Sequence, residues 1–130
     1  MYSGGNDTDA STGKGADRVV ADYQRFAALL AAKHPGVPLY ILSIKPTQLR
    51  WSRWPLGAEA NEKIRHWAEA EADVHFVDVA TPMLGEDGQP RDELYVFDGL
   101  HLNDAGYALW TSILRPRLLR DLGVEVPESR

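Results

Sequence analysis

The sequence predicts an α/β fold, a three-layer α/β/α arrangement around a parallel sheet, and three observations carry that prediction. Segments with helical apolar spacing alternate with short strand-like ones along the chain. The run Leu39, Tyr40, Ile41, Leu42, Ser43, Ile44 is apolar almost throughout, as a strand covered on both faces requires. No internal repeat, low-complexity tract or linker divides the 130 residues, and 44% hydrophobic with 25% charged residues is the balance of one ordinary globular domain.

At the start, Gly4 and Gly5 read as the turn leaving a strand of which only Met1, Tyr2 and Ser3 are present. Over 16–33, Val19, Tyr23, Phe26 and Leu30 recur at steps of three and four and mark an amphipathic helix, ended by His34, Pro35 and Gly36. The apolar strand over 39–44 lies between Pro38 and Pro46. A second helix is expected from 56 to about 71, with Leu56, Ala60, Ile64 and Trp67 on its stripe, and a strand follows over 74–79. The loop 83–91 holds Asp87-Gly88 and Pro90, turn chemistry that suits either a short hairpin or a simple excursion. Asn103 is placed as an N-cap for a last helix marked by Tyr107, Trp110, Leu114 and Leu118, which should kink or restart at Arg115-Pro116. These elements make residues 1–123 one domain, with 124–130 an extended or disordered tail. Three strands result, where about five or six are usual. The expectation is therefore a flavodoxin-like sheet lacking its first two strands, with further sequence upstream.

The net charge of −5 and the absence of a Lys/Arg cluster argue against nucleic acid and anionic membrane surfaces as partners. With no cysteine there is no disulfide, thiolate metal site or cysteine nucleophile, and the compartment is left open. The apolar runs are too short for a transmembrane segment, and the N-terminus lacks a basic-then-apolar signal pattern.

Two clusters fall where such a fold builds its sites, outside the C-terminal ends of strands: Gly4-Gly5-Asn6-Asp7 and Asp98-Gly99-Leu100-His101. Either alone reads as an ordinary turn, the second as a helix-capping turn with a surface histidine. Together they offer an amide donor and an acid/base pair at two strand-to-helix transitions, which is far more specific. Through YSGGND, YILSIKPTQLRW and FDGLHLNDAGYALW the sequence resembles the SGNH/GDSL-type hydrolases, and the resemblance spans nearly the whole chain. That family builds its site from four blocks: Gly-Asp-Ser, a glycine after the second strand, Gly-x-Asn-Asp, and Asp-x-x-His. Only the last two are matched here, by Gly4 and Asn6 and by Asp98 and His101. None of Ser3, Ser11, Ser43, Ser52, Ser112 or Ser129 stands in a Gly-Asp-Ser setting. The resemblance implies the C-terminal part of a serine esterase or acylhydrolase that acts on a small-molecule ester without a cofactor, its serine lying upstream.

The residue types fit those roles. An imidazole changes charge near neutral pH, so His101 can take a hydroxyl proton and return it, as a general base. Asp98 can accept the other ring N–H as the orienter, Asn6 can donate to an oxyanion, and Gly4 and Gly5 permit the supporting turn. Arg50 and Trp51, in the loop 45–55, are expected to touch substrate, Trp51 equally suiting a packing anchor. Asp7 and Asp9 with His101 could instead hold Mg²⁺ or Ca²⁺, but no calcium-loop spacing is present, so no metal is expected. His34, His66 and His75 read as structural or solvated. The alternatives are a non-catalytic flavodoxin-like binding domain and an inactive truncated fragment, whose exposed sheet edge would favour self-association.

Overall fold

A computed structural model describes residues 1–6 and 13–125. In order the elements are α1 (Ala16–Lys33), β1 (Leu39–Leu42), α2 (Trp54–Glu69), β2 (Val74–Val77) and α3 (Asp104–Asp121), with single 3₁₀ turns at Trp51–Arg53, Thr81–Met83 and Asp92–Leu94. The two strands pair in parallel, Leu39 opposite Val74 through Leu42 opposite Val77. On the other side of β1, the Met1 amine donates to the Tyr40 carbonyl and the Leu42 N–H donates to the Met1 carbonyl at 2.9 Å. One residue thus takes both bonds around Ile41, the parallel pattern, so the first residues run beside β1 in place of a third strand. Hydrogen bonding on both sides makes β1 the central strand.

Alternation along the strands sorts the core into two faces. Leu39, Ile41, Ile44 and Val74 pack with Val19, Val20 and Tyr23 of α1 and Ala60 and Ile64 of α2. Leu42, Val77 and Val79 pack instead against Trp110, Ile113 and Leu114 of α3. Helices therefore cover both faces of a parallel sheet, and the fold is the mixed α/β class that the sequence predicts.

The differences are local. β1 stops at Leu42, short of 44, because α2 takes over its pairing: the Ile44 N–H donates to Asn61 Oδ1 at 2.7 Å and Asn61 Nδ2 donates to the Ile44 carbonyl at 2.9 Å. Asn61 is buried, so Asn61→Ala would strand both backbone groups away from water. We expect a loss of about 2–4 kcal/mol, read as a lower urea midpoint at unchanged slope. The second helix starts earlier, at Trp54, with Pro55 in its first turn where no N–H is needed. The last helix runs through Pro116 unbroken. Its far end is held by Arg117 on Asp121 at 2.7 Å and by the Tyr40 hydroxyl on the same carboxylate at 3.1 Å, which offsets the one lost backbone bond. Gly123 then closes it at φ 66, with Val124 N–H reaching back to Leu119 O and Gly123 N–H to Arg120 O. Residues 126–130 of the expected tail lie outside the described residues.

Loop 83–91 is a short hairpin. Leu84 and Pro90 face each other in an antiparallel bridge, Gly85 N–H donates to Gln89 O at 2.8 Å, and Gly88 turns the chain at φ 75.

Candidate active site

Asp98 and His101 sit at the tip of a second small hairpin. Its base is the antiparallel bridge between Tyr95 and Leu102, closed by Val96 N–H on His101 O at 2.9 Å. Gly99 makes the turn at φ 64. Asp98 Oδ1 accepts from the N–H groups of Leu100 at 2.8 Å and His101 at 2.9 Å, while Asp98 Oδ2 lies 2.6 Å from His101 Nδ1. One carboxylate thereby fixes both the turn and the ring. Nε2 is the ring nitrogen left for other chemistry on a side chain that is 71% exposed, against 30% for Asp98.

The His101 ring, followed by the two backbone N–H groups, holds the Asp98 carboxyl down to about 2. This lies below the value of about 3.9 expected in the unfolded chain. The sign follows: the stabilisation is complete above about pH 4 and is lost as pH falls through about 2. A carboxyl-carbon NMR titration should place the Asp98 midpoint near pH 2, and a midpoint near 4 would mean that the His101 contact is not formed in solution.

Neighbouring residues lock the hairpin to the sheet and to α3. Tyr95, buried, donates its hydroxyl to the Pro46 carbonyl, and burial pushes its pKa up. Leu49 N–H donates to Gly99 O at 3.2 Å, and Gln48 Nε2 donates to Asp92 Oδ1 at 2.6 Å. Asn103 serves two elements: its Oδ1 caps α3 through Gly106 N–H at 3.0 Å, and its Nδ2 donates to the carbonyls of Glu93 at 2.8 Å and Tyr95 at 3.1 Å. Gly106 lets α3 approach the hairpin so closely that a Cβ there would lie 2.4 Å from the Leu94 carbonyl oxygen. Gly106→Ala should therefore push the helix start away and lower stability by about 1–3 kcal/mol, measurable by denaturant titration.

The other cluster is built at the end of the N-terminal segment. Gly4 is buried at φ 99, and a Cβ would fall 2.8 Å from Ile44 Cδ1, so both conformation and space demand glycine. Gly5 follows, its own Cβ position 3.2 Å from the Tyr2 hydroxyl. Arg50 Nη1 donates to the Gly5 carbonyl at 2.9 Å and to Asn6 Oδ1 at 3.1 Å. Because the guanidinium takes the oxygen end of the Asn6 amide, its N–H₂ end is directed elsewhere as a donor. Asp7 and Asp9 lie outside the described residues. Among the described residues no group of three or more His, Asp or Glu side chains could hold a metal ion.

Asn6 and His101 meet across one cleft of about 390 Å³, whose wall also includes Gly4, Gly5, Lys45, Arg50, Tyr107 and Trp110. Trp51 is not part of that wall; it stacks on Trp54 with ring centroids 6.2 Å apart. His75 stacks on Tyr40 at 4.8 Å, His34 caps α1, and His66 is exposed on α2 near Glu69. Sequence reasoning does not single out Lys45, Tyr107 or Trp110 as cleft residues, and Gly106 carries a signal only in hindsight, as a glycine three residues after a cap. Arg50 lines the cleft and grips Asn6.

The parallel α/β fold thus brings an Asp-His hairpin and an asparagine-bearing turn to one cleft. Residues 1–109 match the model of the GDSL-like Lipase/Acylhydrolase family, and the chain belongs to that family. Among solved structures it is similar to a carbohydrate esterase family 3 protein from Talaromyces cellulolyticus, at TM-score 0.76 and 21% identity over 96% of this chain and 58% of the other. It is also similar to a protein from Streptococcus pneumonia described as a platelet activating factor, at TM-score 0.75 and 24% identity over 88% and 56%. A GDSL-like lipase from Bacteroides thetaiotaomicron gives TM-score 0.69 and 18% identity over 84% and 55%. No curated protein sequence matches at a significant level. The chain spans 55% to 58% of the length of these three structures.

Proposed function

We propose that residues 1–123 form the C-terminal part of a single SGNH-type ester hydrolase domain and supply the acid/base and oxyanion groups of its site. The observation that carries this reading is that Asn6 and His101 line one cleft while Asp98 occupies His101 Nδ1. Family membership supports hydrolysis of an ester. The nucleophile would be a serine from a Gly-Asp-Ser block outside these 130 residues, since no serine here has that setting.

In the proposed reaction, His101 Nε2 accepts the serine hydroxyl proton as Oγ bonds to the ester carbonyl carbon, and Asp98 stabilises the imidazolium that forms. The carbonyl oxygen becomes an oxyanion and meets the Asn6 amide N–H, worth about 3–4 kcal/mol in the transition state. Collapse breaks the bond to the alcohol, which leaves with the proton from His101. Water, deprotonated by the same ring, then releases the acid and restores the serine. No step uses a cofactor.

We test this in the protein that carries these residues together with its Gly-Asp-Ser block. Asn6→Ala should cut kcat about 10²–10³-fold with KM nearly unchanged; an equal loss in binding and no loss in turnover would remove Asn6 from the oxyanion role. Trp51 is assigned to packing the loop through Trp54, so Trp51→Ala should leave KM within about twofold while lowering stability by about 1–3 kcal/mol. The same reading includes self-association through the sheet edge at residues 1–3, and sedimentation of the chain should show concentration-dependent association. A single monomeric species at every concentration would count against it.

A further inference from the structure

The protein is acidic, with a net charge of −5, yet the charged side chains that line the cleft are Lys45 and Arg50, and no Asp or Glu lines it among the described residues. Lys45 is partly buried there, its Nζ 3.2 Å from the Tyr2 hydroxyl and 5.1 Å from the centre of the Tyr2 ring. Neither contact neutralises an ammonium, and Lys45 forms no ion pair among the described residues. Asp98, the carboxylate that acts on it, is already engaged by His101 and two backbone N–H groups. Burial and the Arg50 charge both disfavour the charged form of Lys45 and lower its pKa, with Asp98 opposing them. A partly buried ammonium without an ion pair costs free energy that an anion in the cleft would offset. Arg50 is turned toward the Gly5 carbonyl and Asn6, so Lys45 is the cation whose donors are least committed.

We infer that the cleft takes esters bearing a second, anionic group, a carboxylate or a phosphate on the acyl or alcohol part, and that the Lys45 ammonium is the group that meets it. The ester half of this inference rests on the proposed hydrolase reading; the anion half rests on the cleft alone. It is tested on the 130-residue chain by titrating ¹⁵N-labelled protein with monomethyl succinate, with its neutral counterpart dimethyl succinate, and with methyl phosphate. The first and third arms separate carboxylate from phosphate. We expect saturable shifts at Lys45, Arg50 and Leu102, with at least one anion binding about tenfold more tightly than the neutral diester. Raising the ionic strength from about 0.05 to 0.5 M should weaken that anion several-fold. Lys45→Met should erase the preference, and Lys45→Arg, which keeps the charge, should retain it. Equal affinity for charged and neutral esters, no saturable shift with either anion, a preference that survives Lys45→Met, or its loss in Lys45→Arg as well would each overturn the inference. Anion selectivity in a complete protein that hydrolyses no ester would defeat the hydrolase reading alone, whereas ester hydrolysis indifferent to charge would defeat this inference alone.

Discussion

Purified by itself, the 130-residue chain should hydrolyse an activated short-chain ester at the background rate. His101 and Asn6 both line the cleft; in the proposed reaction the first accepts a proton and the second stabilises an oxyanion, but neither forms the bond to the acyl carbon. Loss of the nucleophile from a triad costs on the order of 10⁶ in turnover, more than positioned acid/base groups recover without it. The measurement is release of p-nitrophenol from its acetate, by protein of confirmed intact mass, compared with buffer and with His101→Ala. Turnover above background that disappears in His101→Ala would place a nucleophile within these residues.

The second large effect is expected where the Gly-Asp-Ser block is present. There His101→Ala should lower kcat by about 10⁴–10⁶, and Asp98→Asn by about 10⁴, because the amide no longer holds the ring with Nδ1 protonated. KM should change little in both, since neither side chain is assigned to ground-state binding. The Asp98→Asn variant separates orientation from folding: its amide oxygen can still accept from Leu100 and His101 N–H, so the hairpin should persist. A drop in kcat of less than about tenfold in a folded Asp98→Asn protein would remove Asp98 from the mechanism.

The sequence discloses the layers well because burial dictates them: the almost unbroken apolar run at 39–44 reflects a strand bonded on both sides, and the stripe of Val19 and Tyr23 reflects a helix face against it. The Asp98 and His101 positions are legible because their contact is local, spanning three residues within one turn. What the sequence conceals is long-range. Arg50 reaches Asn6 across 44 positions, Asn61 completes the end of β1 across 17, and Lys45 meets Tyr2 across 43. No periodicity encodes such pairs. At Pro116 local chemistry predicts a kink or a restart; the helix does not restart there, and the Tyr40 and Arg117 contacts at Asp121 hold its far end. Trp51, read as a substrate contact or an anchor with equal weight, is found stacked on Trp54, a choice that depends on which way one loop faces.

His101, Asp98 and Asn6 are proposed as the acid/base and oxyanion half of a serine ester hydrolase. A serine-directed phosphonate with peptide mass mapping tests it most directly, applied to this chain and to the protein that also holds a Gly-Asp-Ser block. The chain alone should keep its mass. The longer protein should gain one phosphonyl group on the Gly-Asp-Ser serine, at a rate that His101→Ala lowers at least about a thousandfold. A stoichiometric label on Ser3, Ser43 or any other serine of the 130 residues, lost in His101→Ala, would overturn that assignment, as would a longer protein that takes no label at all.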